Sequence, residues 1–187
     1  MPTYYEGEPI FILEYKLEKE DFQNAWILSE KMVSIWSRPS IKAGLSLTLV
    51  LLIASAIPYY LTFFSTVWIP IIAIVFLLFV SFFFFYVQPK MSYHFARTIF
   101  ESNLVLSLSQ KVFIYRDSMI CENEKERFVE YWTDFTKCIE SEKYYILIGG
   151  IVRSPFILPK RILNEEQKRK LSEHLKNTFA SRYQKGK

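Results

Sequence analysis

His94, His174, Cys121 and Cys138 are the side chains of this 187-residue chain best suited to acid–base or nucleophilic chemistry. His94 follows directly on a long apolar segment. His174 stands among lysines, where solvation is its simplest role. Neither belongs to a Ser or Cys nucleophile motif. The cysteines are not in a CxxC pattern and predict free thiols rather than a disulfide framework or a zinc site, which takes about four close ligands. With only five glycines there is no phosphate-cradling GxxxxGK or GxGxxG motif. The residues predict no enzyme, no metal and no cofactor.

The elements that carry these residues divide sharply by charge. Residues 43–89 hold no Asp, Glu, Lys, Arg or His, a block of 47 residues. A hydrocarbon core of about 30 Å takes about 20 apolar helical residues, so the block predicts two spans and a tight reversal. The first, about 43–64, contains eleven Leu, Ile, Val and Phe residues diluted by Gly44, Ser46, Thr48, Ser55, Pro58 and Thr62. The second, about 67–87, contains sixteen. Gly44, Thr48, Leu51 and Ser55 form a small or hydroxylated stripe that is either a helix–helix seam with Ala73 and Ser81 or a scatter of tolerated residues. Tyr59, Tyr60 and Trp68 near the reversal, and Trp36, Tyr86 and Tyr93 near the other ends, suit interfacial anchoring. A charge-free hairpin lacks the ionisable groups that intramembrane proton and ion pathways use.

Arg38 and Lys42 precede the block, Lys90 and Arg97 follow it, and the reversal has no cation. The positive-inside rule therefore predicts both termini in the cytoplasm. The acidic first 30 residues do not read as a cleavable signal peptide. From residue 90 onward Lys and Arg outnumber Asp and Glu by 18 to 12. That excess is modest and comes without a stacking platform of aromatics, so nucleic acid is not an expected partner.

The predicted divisions are 1–42, a strand at Ile10–Tyr15 followed by a helix from Leu17 toward Trp36; 43–89, the hairpin; and 90–187, a water-facing part. In the last, short aromatic and β-branched runs separated by polar or glycine breaks predict an antiparallel meander. They are Val112–Tyr115, Met119–Cys121, Arg127–Trp132, Lys137–Glu140, Tyr144–Ile148 and Pro155–Leu158. Asn164 then caps a helix reaching about Tyr183, with Gln167 three residues on and Leu171, Leu175 and Phe179 along one face. The expected fold is α+β: a transmembrane hairpin carrying a strongly bent sheet of about six strands, closed by a C-terminal helix. Lys168, Arg169, Lys170 and Lys176 on that helix, with Lys160 and Arg161 before it, make either a surface for anionic lipid or a solvated face balanced by Glu165, Glu166 and Glu173.

The order of these features resembles the YcxB-like family of bacterial membrane proteins. The likeness rests on the Glu20-Asp21-Phe22 helix start, the two adjacent spans, Tyr131-Trp132-Thr133-Asp134-Phe135, and Phe156-Ile157-Leu158-Pro159-Lys160-Arg161 before the last helix. Phe135 stands where that family more often has Ile or Val. The resemblance implies an inner-membrane protein with a Pleckstrin-homology-like C-terminal domain, with Trp132, Asp134, Pro159 and Lys160 as motif residues of mainly structural role. It brings no catalytic residue. The expected function is non-enzymatic binding or scaffolding of a protein partner or a second copy. The alternative is sensing of anionic membrane lipid through the basic helix.

Overall fold

A computed structural model of the chain describes residues 7–33, 39–63, 68–153 and 155–186. The chain divides into two compact units, one joining residues up to Ser29 to those from Ala96 onward, the other being Glu30–Phe95. The N-terminal strand and the start of the first helix therefore belong with the C-terminal part. The unit boundaries fall after Ser29 and before Ala96.

In the first unit, β1 (Phe11–Lys16) alternates strictly, with Phe11, Leu13 and Tyr15 inward and Ile12, Glu14 and Lys16 outward. It pairs antiparallel with β2 (Ser109–Ile114), Phe11 facing Ile114 and Lys16 facing Ser109. β3 (Ser118–Glu122) and β4 (Arg127–Tyr131) complete the order β1-β2-β3-β4. A second sheet runs β7-β6-β5-β8, from β5 (Lys137–Glu140), β6 (Tyr144–Ile148), β7 (Phe156–Pro159) and β8 (Tyr183–Lys185). β8 lies parallel to β5 and the other pairs are antiparallel.

Two four-stranded sheets thus replace the single bent sheet of about six strands. The break falls at Trp132–Thr136, where Asp134 ties the chain into a corner. Its Oδ2 accepts the Tyr131 N–H at 3.0 Å and its own N–H reaches Tyr131 O at 3.0 Å. β8 escapes a reading of three-residue runs because Tyr183-Gln184-Lys185 has no apolar alternation, and pairing with β5 alone makes it a strand.

The inner rows of both sheets form one core. Tyr15 donates from the first sheet to Ile157 O in the second at 2.7 Å, and Phe128 meets Phe156 edge to face. α5 (Glu165–Phe179) closes one end, with Leu171, Leu175 and Phe179 buried and the capping box between Asn164 and Gln167 present as predicted. It stops at Phe179 rather than Tyr183 because Ala180, at φ 44° and ψ −111°, leaves helical backbone, and a 3₁₀ turn over Ala180–Arg182 then leads into β8. α1 (Lys19–Val33) lies over the far face of the second sheet, where Asp21 receives the Tyr144 hydroxyl at 3.0 Å. Burial on both faces explains the nearly continuous apolar runs of β6 and β7.

The second unit contains α2 (Pro39–Phe63) and α3 (Trp68–Phe82); Ile41–Thr62 within α2, and the continuous helix Ile71–Ser102 of which α3 is the first part, are long and apolar enough to cross a membrane. α3 continues through a π-helical turn, Phe83–Val87, into α4 (Gln88–Ser102), well past the predicted end at 87. The wider turn sits just before Pro89, which has no N–H to donate. The Gln88 N–H reaches back to Phe83 O, and the helix continues across the proline. Lys42 donates to Gln88 Oε1.

The predicted seam on α2 is displaced. Gly44, Thr48, Leu51 and Ser55 are exposed, a Cβ added at Gly44 would meet open space, and the hydroxyls of Thr48 and Ser55 bond back to Gly44 O and Leu52 O. Ser46, Leu49, Ile53 and Ile57 are the half-buried face instead, and on α3 the predicted Ala73 and Ser81 flank the buried Leu77. Bulky Leu49, Ile53, Ile57 and Leu77 share these faces with the small Ser46, Ala73 and Ser81. Trp36 and Arg38 lie outside the described residues.

Candidate functional site

One open cleft, about 270 Å³ in volume, is lined by residues of the first unit alone. α1 contributes Phe22 and Trp26, one turn apart on the same face, their rings 5.8 Å apart. Ile99 comes from the last turns of α4. Asn103 then caps a short 3₁₀ turn by accepting the Val105 N–H at 3.1 Å, which turns Val105 and Leu106 into the wall. Val152, Arg153 and Pro155 complete it from the loop after β6, and Glu126 from the turn between β3 and β4.

The polar end of the cleft is an ion pair between Arg153 and Glu126, with the Arg153 guanidinium also 5.2 Å above the Phe128 ring. Each partner is held. Asn123 Oδ1 accepts the N–H groups of Lys125 and Glu126 at 2.8 and 2.9 Å and shapes the turn that presents Glu126. Glu130, fully buried on the inner face of β4, accepts the N–H of Val152 at 2.7 Å and of Arg153 at 3.2 Å. The loop approaches this carboxylate closely because it begins with Gly149 at φ 95° and Gly150. A Cβ at Gly150 would lie 2.6 Å from Glu130 Oε1 and from the Phe135 ring.

Burial raises the Glu130 carboxyl above its ordinary range, against the opposing pull of its two backbone hydrogen bonds. Its second oxygen is buried without a partner. Deeper in, burial pushes the Cys121 thiol up to about 12 and raises the Tyr15 hydroxyl well above its usual value. Cys121 and Tyr15, buried behind the cleft in their protonated forms, do not supply a base or a nucleophile at neutral pH. Both cysteines are free and buried. Among the described residues no three His, Cys, Asp or Glu side chains gather as metal ligands.

Of the residues singled out from the sequence, Phe22 of the Glu20-Asp21-Phe22 helix start lines this cleft, and the candidate site residues do not. Trp132 packs among Phe135, His174 and Phe179, 3% exposed, and its indole N–H donates to Tyr115 O at 3.2 Å. His174 is not solvated as predicted. It stacks edge-on to Trp132, and burial lowers its pKa. Asp134 forms the corner between the sheets, and Pro159 ends β7 opposite Tyr144.

Lys160 is an internal brace. Its ammonium pairs with Glu140 Oε1 at 2.6 Å and sits 4.4 Å over the Tyr145 ring, while Ser172 and Tyr183 donate to the same carboxylate. Burial pushes Glu140 up, but these hydrogen bonds outweigh it and hold the carboxyl below its usual range. Arg161 reaches Asp21 at 2.8 Å, Glu18 at 3.0 Å and Lys16 O at 3.0 Å, which ties the N-terminal segment to the C-terminal one. Lys168 pairs with Glu165 and Lys170 with Glu166 along α5, and Arg169 and Lys176 are exposed.

The cleft residues left little trace in the sequence. The usable signal was Arg153, a single cation in the apolar run that follows the Gly149-Gly150 break. No protein-family model, curated protein or solved structure matches the chain.

Proposed function

We propose that this chain is a non-enzymatic membrane protein whose first unit is a binding module, with the cleft between Trp26 and Val152 as its site. The observation that carries the reading is the composition of that cleft: apolar walls ending in one fixed, oriented ion pair. Such a lining suits a short apolar segment of a protein partner that presents a polar group to Arg153 or Glu126. The buried, protonated state of Cys121 and Tyr15 supports binding over catalysis.

In this reading α2 and the helix from Ile71 to Ser102 hold the protein in the inner membrane, with both termini cytoplasmic. The two sheets closed by α5 support a Pleckstrin-homology-like description and the resemblance to the YcxB-like family. Lipid sensing through the basic helix is the weaker reading. Arg161, Lys160, Lys168 and Lys170 already hold carboxylates of the same chain, which leaves Arg169 and Lys176 as the cations of that surface without an ion pair among the described residues.

The test is photocrosslinking in cells. A benzoylphenylalanine at Val152, 54% exposed at the cleft, is expected to give a discrete protein adduct that Trp26→Ala or Arg153→Glu abolishes. The same group at Glu173 on α5 is expected to give none. An adduct at Glu173 alone would overturn the assignment.

A further inference from the structure

The outer face of the first sheet carries two rows whose composition the binding cleft does not explain. Strand pairing sets Ile12 beside Phe113, Phe113 beside Ile120 and Ile120 beside Val129, an apolar row across all four strands. The adjacent row reads Glu14, Lys111, Glu122, Arg127, with the sign of charge alternating from β1 to β4. Of the apolar row, Ile12 is 54% exposed and Val129 37% at its two ends, while Phe113 is half-buried and Ile120 is buried at 3%; of the charged row, Glu14, Lys111 and Arg127 are exposed and Glu122 is half-buried. Among the described residues the ion pairs are made by other side chains, and Lys111 Nζ lies 5.3 Å over the Phe113 ring. The corresponding face of the second sheet is covered by α1.

We propose that this face is a self-association surface, on which a second copy of the chain docks sheet to sheet about a two-fold axis parallel to the strands. Alternation over four strands has a specific consequence. Rotation by a half-turn about an axis between β2 and β3 places β1 over β4 of the second copy and β2 over β3, and it leaves each row in register with itself. Glu14 then faces Arg127 of the second copy, and Lys111 faces Glu122. All four charges of the row meet an opposite charge, in both copies at once. In the neighbouring row the exposed Ile12 meets the exposed Val129, apolar on apolar at both edges of the face. A row of three or five alternating charges would place like on like under the same operation.

Sheets packed face to face lie about 30° from parallel, which displaces the outer strands by a few ångströms and stays within reach of Glu and Arg side chains. The face is roughly 15–20 Å on a side, small for a permanent dimer, so the association is of the weak, reversible class. An isologous two-fold contact is also the commonest form of protein self-association.

The full chain in a neutral detergent, followed by sedimentation velocity over about 1–100 µM, tests this. The parent is expected to pass from monomer to dimer. E14K and R127E alone each turn two attractive contacts into repulsive ones, and each is expected to weaken dimerisation at least about tenfold. An equimolar mixture of E14K and R127E chains restores it, since Lys meets Glu and Arg meets Glu across the new heterodimer. The double variant E14K/R127E restores it as well.

A ladder that served only the sheet itself gives the opposite order. There E14K lies beside Lys111 and R127E beside Glu122, so the double variant combines both faults. E14Q and R127Q, which set no like charges side by side, repeat the test with an expected loss of about two- to fivefold and cover the case of a reversal that unfolds the chain. A parent that stays monomeric throughout overturns the proposal. So does a dimer insensitive to these charges, as association through α2 and α3 would be, or a mixture of the two single variants that fails to pair.

Discussion

Glu130 is the residue whose environment conflicts most with its chemistry. Its carboxylate organises the Val152–Arg153 end of the cleft through two backbone hydrogen bonds, yet one oxygen is buried without a partner. Burial raises its pKa in the folded chain above the ordinary 4.5. Below 4.5 both folded and unfolded chains carry the proton and no penalty arises. As pH rises through that value the unfolded chain ionises first, and stability falls until the folded pKa is passed. Glu130→Gln keeps an acceptor for the two N–H groups and removes the buried charge. Its melting temperature is expected to exceed the parent's by a few degrees at pH 7.5, about 1 kcal/mol, and the gain is expected to vanish near pH 4. Thermal melts of both proteins at the two pH values check this. Comparing the pair cancels His174, whose lowered pKa makes both proteins lose stability as pH falls through 6.5.

At the scale of elements, the two apolar helices differ in their margin for leaving water. α3 is dense in Leu, Ile, Val and Phe, each favouring insertion by about 0.3–0.6 kcal/mol near the helix centre, whereas α2 is diluted by hydroxyls, Gly44 and Pro58. A lysine at mid-helix costs about 2.5–3.5 kcal/mol, enough to tip α2 and not α3. Leu52→Lys is expected to impair insertion far more than Phe76→Lys, as read by a glycosylation reporter. Both side chains are exposed in the structure, 61% and 60%, so packing does not bias the comparison. The same contrast shows what composition leaves open. The apolar length of each helix could be counted, but the contact face on α2 runs through Ser46, Leu49, Ile53 and Ile57 rather than the small-residue stripe. Which face meets a neighbour depends on the partner helix as well as on the stripe.

At the scale of the whole molecule, the first unit is one folded body built from two stretches of chain with the apolar helices between them. Without residues 1–29, β2 loses its neighbour and the core loses Phe11, Leu13, Tyr15 and Phe22, each worth about 1.5–3 kcal/mol buried, a sum comparable to a domain's whole stability. Residues 90–187 alone are therefore expected to lack a cooperative melt. Residues 7–29 joined to 96–187 by a flexible Gly/Ser linker are expected to regain it, as circular dichroism would show. Local chemistry in the sequence determined the charge-free block, the strands Lys137–Glu140 and Tyr144–Ile148 to the residue, and the Asn164–Gln167 cap, because side-chain period and hydrogen bonds within a few residues act there. Tertiary structure alone decided that β1 pairs with β2, that Arg161 meets Asp21 at a separation of 140 residues, and that Arg153 and Glu126 close one end of a cleft with Trp26. Those contacts join parts of the chain with no local pattern in common, and they form only when burial of two sheets and a helix brings them together.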